Sequence, residues 1–142
     1  MAIPINWWAI IVTTLVSVCL GFVWFGPLFG KAWMKTLGLS MPEVITPEMK
    51  KQMNRGYAIV AVGALITNFV LLHNITFGSA YLNMTGAAAG LQAAFWNWLG
   101  FIVPATLGAV LWEGRPWKHW VITAGYYLVV LAINGMILAS WM

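Results

Sequence analysis

The chain has 142 residues, of which 62% are hydrophobic, 7% are charged and 10 are tryptophans, and its formal net charge is +4. A soluble domain carries about 25% charged residues and hides only about two thirds of its unfolded surface, so this composition excludes a water-soluble globular domain. The positive charge does not indicate nucleic-acid binding, because the basic residues lie in two loops beside apolar runs, where they set topology and contact anionic lipid headgroups.

The first membrane span is predicted at about residues 5–26. Its apolar run contains no charged residue and is long enough to cross a hydrocarbon core of about 30 Å. Trp7 and Trp8 stand at one edge and Trp24 near the other, as expected of side chains that favour the membrane–water boundary. Pro27 lacks an amide hydrogen and clashes with the preceding turn, so we expect this helix to stop or bend there.

A cytoplasmic loop is predicted at residues 28–56. Its first part, Leu28–Leu39, places lysines and apolar residues on different helical faces, which is typical of a short amphipathic helix lying in the membrane interface. Thr46 followed by Pro47 and an acidic residue has the form of a helix start. We expect that helix to run without a break into the second span, at about residues 57–77.

The third and fourth spans are predicted at about residues 87–111 and 118–141, joined by a turn too short to hold a domain. Gly86 and Gly90 are four residues apart, a spacing that lets two helices approach closely, either inside the bundle or between chains. Pro104 removes one backbone hydrogen bond from the third span and should kink it.

The basic side chains predict the orientation of the chain. All seven lie in the loop between the first two spans or at the turn between the last two, and the remaining loop carries no charge. Positively charged loops stay in the cytoplasm, so both termini are predicted to lie outside. The predicted fold is an all-α integral membrane protein. It is a single domain over residues 1–142, a bundle of four transmembrane helices with the short interfacial amphipathic helix after the first span.

Several short motifs resemble the bacterial family called "domain of unknown function 1761". They occur in order along nearly the whole chain, at Ile5–Trp7, Trp24–Met34, Leu37–Gly38, Trp98–Phe101, Pro104–Thr106, Glu113–Trp117 and Gly125–Tyr126. The resemblance implies a small four-span protein of the bacterial inner membrane. It implies no activity, so no catalytic or ligand-binding residue follows from it.

Polar side chains inside the predicted spans form the first candidate site. At about 1.5 Å of depth per residue, Asn68 and Asn97 lie near mid-membrane and His73 lies nearer the outer side. The candidate set is Asn68, His73, Gln92, Asn97, Thr106 and Asn134. In lipid these groups must find hydrogen-bond partners, so they either fasten the helices to one another or line a small polar cavity that binds or passes a solute.

A second candidate site lies at the predicted cytoplasmic boundary. Glu113 is the only acid in the second half of the chain, and the short turn brings it near Arg115 and Lys118. The site comprises Glu113, Arg115, Trp117 and Lys118, together with Lys31 of the first loop. We interpret it either as a clasp that closes the second hairpin or as a site for an anionic headgroup.

The sequence shows no recognisable catalytic machinery. No acid lies within a span, the two histidines lie at opposite predicted membrane levels, and no Ser–His–acid, Cys–His or phosphate-binding glycine motif is apparent. We therefore expect no enzyme activity, no metal and no cofactor.

The predicted function is that of a non-enzymatic inner-membrane protein that forms homo-oligomers or joins a larger membrane complex. Its other partners would be the lipid bilayer and anionic headgroups at the cytoplasmic face, with no nucleic acid. The alternative is a small transporter or channel, with a polar path lined by Asn68, Asn97 and His73.

Overall fold

The computed structural model describes residues 5–40 and 42–142, so residues 1–4 and 41 of the predicted domain lie outside the described residues. The helices are α1 (Trp7–Val23), α2 (Gly30–Thr36), α3 (Pro47–Leu82), α4 (Gly86–Asn97), α5 (Val103–Leu111) and α6 (Trp117–Ser140). Two π-helical segments, Trp24–Leu28 and Trp98–Ile102, extend α1 and α4. Four helical stretches are long and apolar enough to cross a membrane: Trp7–Leu28, Pro47–Leu82, Gly86–Leu111 and Trp117–Ser140. The predicted all-α fold with four membrane-spanning helices is confirmed.

The start of α3 follows the prediction from sequence. The Thr46 hydroxyl accepts a hydrogen bond from the backbone N–H of Met49 at 3.2 Å, and Pro47 occupies the first turn. This arrangement satisfies one of the amide groups that every helix leaves unpaired at its start. From there α3 runs for 36 residues without interruption, which confirms that the polar helix continues into the second span.

Helix α6 is the centre of the bundle. Nine of its residues are buried, more than in any other helix of the described chain, and it packs against α1, α3 and α4. Its closest approach is to α4, where Gly90 and Gly135 meet backbone to backbone. A methyl group added at either glycine would overlap the other's carbonyl oxygen. Gly90 therefore packs against another helix of the same chain. Of the two possibilities that the Gly86–Gly90 spacing left open, packing inside the bundle is the one observed at Gly90.

The two π-helical segments are built alike. Each begins with a tryptophan and has a glycine two residues later. In each, the amide five residues beyond the tryptophan donates to the tryptophan carbonyl, from Phe29 to Trp24 and from Val103 to Trp98. Pro27 lies inside the first segment and does not end the helix, which continues to Leu28. Pro104 lies two residues after the second segment, at the start of α5. Both π-helical segments therefore occur at or next to a proline that was expected to bend its helix, and π-helical turns are a known cause of kinks.

Both tryptophans of these segments hold α6. The Trp24 indole nitrogen donates to the carbonyl of Ile122 at 3.0 Å, and the Trp98 indole nitrogen donates to the carbonyl of Ala124 at 2.8 Å. The two acceptors are two residues apart on one helix, and the donors come from the first and the third span. The first and the third span therefore contact the central helix through the same interaction, an indole N–H that donates to a backbone carbonyl.

Replacing Trp98 by phenylalanine should remove that hydrogen bond and keep most of the ring contacts. We expect a loss of about 1 kcal/mol in the free energy of unfolding, the usual net value of one such bond. The neighbouring Trp96 is exposed, so Trp96→Phe is the matched control and should change stability by less than about 0.5 kcal/mol. Equal losses in both variants, measured by denaturant unfolding in detergent, would contradict this role for the indole N–H.

Candidate functional site

The centre of the bundle holds a polar cluster from α1, α3 and α6. The Asn134 side-chain nitrogen donates to Ser17 Oγ at 2.7 Å and to Asn68 Oδ1 at 2.9 Å. The Ser17 hydroxyl donates to the Thr13 carbonyl at 2.8 Å, and the Tyr126 hydroxyl donates to the Ser17 carbonyl at 3.1 Å. Asn68 is 0% exposed and Asn134 is 2% exposed. We call these five residues the central cluster; they join three spans through side chains withdrawn from the protein surface.

Two atoms of the central cluster keep unused hydrogen-bonding capacity. The nitrogen of Asn68 and the oxygen of Asn134 are buried without a partner in the described chain. An unpaired buried polar atom costs about 1–3 kcal/mol, so the cluster retains one donor and one acceptor for which pairing would be favourable. A cleft of about 240 Å³ between α3 and α6 is lined in part by residues of the central cluster, among them Ser17 and Asn134.

A second amide pair joins α3 to α4. The Asn74 side-chain nitrogen donates to Asn97 Oδ1 at 2.9 Å, and the Asn97 nitrogen donates to the Ala93 carbonyl at 2.8 Å. Asn74 was not among the predicted site residues, although its place inside the predicted second span was the signal that would have found it. The pair is half-buried, so its remaining polar surface is open to the outside of the bundle.

The Asn74–Asn97 pair lies in a long groove between α3 and α4. Two clefts of about 520 Å³ and 510 Å³ meet at this pair, and Phe101 lines both. Most of the lining is apolar: Ile66, Val70, Leu71, Ile75, Leu82, Phe101, Ile102 and Leu131. We call these two clefts together the α3/α4 groove. Gln92 lines the first of them.

The structure does not bring the six predicted polar residues into one cavity. Asn68 and Asn134 lie in the central cluster, whereas Asn97 and Gln92 line the α3/α4 groove. The other two lie in neither place. His73 Nδ1 contacts the Phe69 carbonyl of its own helix at 2.8 Å. Thr106 accepts from the Trp120 indole at 3.0 Å in the second hairpin.

The predicted clasp at the turn between α5 and α6 is a loose ion pair. Arg115 Nε and Glu113 Oε2 are 3.9 Å apart, the Arg115 side chain is half-buried and the Glu113 side chain is exposed, so the pair adds little to stability. Elsewhere in the described chain Glu113 makes no ion pair, so it is joined neither to Lys31 nor to Lys118. Trp117 is exposed. The turn is closed by the backbone, since the Arg115 amide donates to the Ala109 carbonyl at 3.0 Å.

The first loop reaches the second hairpin through α2. The Thr36 hydroxyl and His119 Nδ1 are 2.9 Å apart, and the Trp33 ring stacks on the His119 ring with centroids 6.1 Å apart. This contact brings the two lysines of α2 to the start of α6, near Arg115 and Lys118. The basic residues of α3 lie just before Tyr57, whose ring is 6.5 Å from that of Phe22 near the end of α1. We call this end of the bundle the basic end. Nothing in the sequence predicted that α2 folds back onto α6 and contacts His119.

A further groove runs along α3 from the basic end. A cleft of about 490 Å³ is lined mainly by aromatic residues, among them Phe22, Trp33 and Tyr57. It shares Val60, Tyr126 and Tyr127 with the 240 Å³ cleft beside the central cluster. We call these two clefts together the α3/α6 groove. In the described part of the chain, no three His, Cys, Asp or Glu side chains are grouped to hold a metal ion.

Comparison with known proteins gives a match along the bundle. The model of the family described as "Protein of unknown function (DUF1761)" matches residues 8–139. The match confirms the resemblance seen in the motifs, and it takes in the central cluster and both grooves. No curated protein and no solved structure matches the chain.

Proposed function

Since the chain belongs to the DUF1761 family, which brings no activity with it, we propose its role from its own geometry. The protein is a non-enzymatic membrane protein that forms homo-oligomers, and the α3/α4 groove is where a second copy binds. It resides in the bacterial cytoplasmic membrane with both termini outside and the basic end in the cytoplasm, as positively charged loops require.

The half-buried Asn74–Asn97 pair carries this proposal. Asn74 Oδ1 accepts no hydrogen bond from the described chain, and the groove around it faces the hydrocarbon of the membrane. Lipid tails cannot form hydrogen bonds with an amide. A polar side chain in the hydrocarbon therefore favours contact with another helix that can.

A second copy of the chain suits this groove better than a charged ligand does. An asparagine amide both donates and accepts, so the same surface on a symmetry-related copy satisfies it. The apolar lining offers nothing to a charged group, and the turn between α3 and α4 has no charged residue. The embedded polar groups bond to one another or to backbone, which favours an assembly role over chemistry.

Disulfide cross-linking in membranes tests the oligomer. Val70 lines the α3/α4 groove and is 50% exposed, and Cys19 is the only native cysteine. In a Cys19→Ser background, Val70→Cys should give a covalent dimer on mild oxidation. Ile11→Cys is the control, because Ile11 lies at a similar predicted depth on α1 and is 44% exposed. No dimer from Val70→Cys, or equal dimer from both variants, would overturn the proposed interface.

Removing the amides should weaken the same assembly. Native mass spectrometry of the protein in mild detergent should show oligomers, and Asn97→Leu should shift the distribution toward monomer. Thr14→Val is the control, because its hydroxyl bonds only within α1, at 2.7 Å from the Ile10 carbonyl. Unchanged helix content by circular dichroism separates lost assembly from lost folding. A wild-type protein that is monomeric under these conditions contradicts the proposal.

The second candidate function is passage of a small solute through each copy. It is favoured by the unpaired Asn68 nitrogen and Asn134 oxygen, because Asn134 also lines the 240 Å³ cleft. Thr67 lines both grooves, so Thr67→Cys in the Cys19→Ser background should react with a charged thiol reagent if water enters there. Val62→Cys, on the exposed face of α3, is the control. Complete protection of Thr67→Cys would exclude a solute path.

A further inference from the structure

We propose that the α3/α6 groove is a specific site for one anionic phospholipid. The acyl chain lies in the groove and the phosphate lies at its basic end, beside Lys50. This inference is independent of the proposed oligomer, because it concerns another groove and another occupant.

The length of the groove corresponds to one leaflet of a bilayer. Along α3 its lining runs from Met53 and Tyr57 to Thr67. Tyr57 and Thr67 are ten residues apart, or about 15 Å at 1.5 Å per residue. Half of the hydrocarbon core is also about 15 Å. A chain that begins at the level of Tyr57 therefore ends at the level of the central cluster, near mid-membrane.

The lining of the groove suits an acyl chain with a polar head. The long part is apolar or aromatic, with Phe22, Phe25 and Val60 among its residues. Tyr57 lines the part nearest the basic end and is partly exposed, and tyrosine combines an apolar ring with a polar tip that favours the headgroup level. Trp33 lines the same part, and its indole N–H is buried without a partner in the described chain.

Charge selects an anionic headgroup. Lys50 precedes Met53 by three residues and Tyr57 by seven, so the three share one face of α3. Lys51 follows at a further 100° around the helix, so its side chain is turned away from that face. The first loop holds five of the seven basic residues against two acids, so the mouth of the groove has a local excess of positive charge. Anionic lipids are attracted to such segments, each lysine adding about fivefold in affinity.

Native mass spectrometry of the full chain tests this site. The protein is reconstituted in vesicles of equal parts phosphatidylglycerol and phosphatidylcholine and then extracted in mild detergent. The wild-type protein should retain one phosphatidylglycerol in preference to phosphatidylcholine. Lys50→Gln should lower that preference about fivefold. Lys51→Gln removes the same charge from a position turned away from the groove and should lower the preference far less.

A second variant fills the groove and keeps the charge. Gly63 lines the groove, and a Cβ atom added there meets nothing within 4 Å. Gly63→Leu should therefore extend into the acyl-chain space and leave the fold intact. Retention of phosphatidylglycerol should then fall, and thermal unfolding should show the bundle intact. Equal retention of both lipids by the wild-type protein, or full retention by Gly63→Leu, would overturn the proposal.

The same spectra separate this proposal from the oligomer. Asn97→Leu should change the oligomer distribution and leave lipid retention as it is, because Asn97 lies in the α3/α4 groove. Gly63→Leu should do the reverse. Unchanged oligomers in Asn97→Leu would therefore contradict only the oligomer proposal, and full lipid retention by Gly63→Leu would contradict only the lipid proposal.

Discussion

Gly90→Ala is expected to lower the free energy of unfolding by about 3 kcal/mol, the upper end of what overpacking a core costs. The added methyl group would overlap the carbonyl oxygen of Gly135, which belongs to the backbone of a buried helix and cannot rotate away. The structure can relieve the overlap only by moving α4 away from α6. Denaturant unfolding of the protein in detergent measures the loss.

Gly63→Ala is the matched control for this prediction. Gly63 also lies within a membrane-spanning helix, but a methyl group added there meets nothing within 4 Å. Stability should be unchanged or higher, since alanine favours a helix by up to about 1 kcal/mol over glycine. The double variant Gly90→Ala/Gly135→Ala should lose less than the sum of the two single losses, because one separation of the helices relieves both overlaps. Wild-type stability of Gly90→Ala would show that the backbone contact does not set the spacing.

Asn134→Leu should cost about 3 kcal/mol. It removes the bonds to Ser17 and to Asn68, and it leaves the carbonyl oxygen of Asn68 buried without its donor. An unpaired buried polar atom costs more than the bond itself contributes. Asn68→Leu/Asn134→Leu should therefore be more stable than Asn134→Leu, because it leaves neither amide unpaired.

This prediction is tested by comparing the free energy of unfolding of Asn134→Leu with that of the double variant. Unfolding of the wild-type protein, both single variants and the double variant forms a thermodynamic cycle. The predicted order requires a coupling energy larger than the loss caused by Asn68→Leu alone, and so above the average of about 0.6 kcal/mol for such pairs in membranes. Asn97→Leu, in the half-buried pair, should lose less than Asn134→Leu. A double variant less stable than Asn134→Leu would contradict the view that unpaired atoms dominate.

The sequence predicts helix number and type well, because each span is fixed by a local property. Apolar length identifies the four spans, and the Thr46–Pro47 pair identifies the start of α3, since both depend on residues close together in the chain. The same holds for the smaller elements near Leu28–Leu39, where the structure places α2. None of these features requires knowing which helix packs on which.

The grouping of polar residues is harder to predict, because depth gives only one coordinate of a position. His73 and Asn74 lie at nearly the same depth, yet His73 contacts its own helix beside Phe69 and Asn74 pairs with Asn97 on α4. Position around each helix is decided by packing. The π-helical segment after Asn97 adds a further shift, because its wider turn rotates every later residue of that span relative to an unbroken α-helix.

The central cluster has a consequence for how the chain is made. Its two asparagines are 66 residues apart, and at about 5–20 residues per second the ribosome adds Asn134 about 3–13 seconds after Asn68. Until then the Ser17 hydroxyl has its bond within α1, but Asn68 has no partner on its own helix. The first hairpin therefore lacks the partner that Asn68 has in the complete bundle until α6 is made. The central cluster can form only after α6 packs against α1 and α3, because Asn134 supplies the bonds to Ser17 and Asn68.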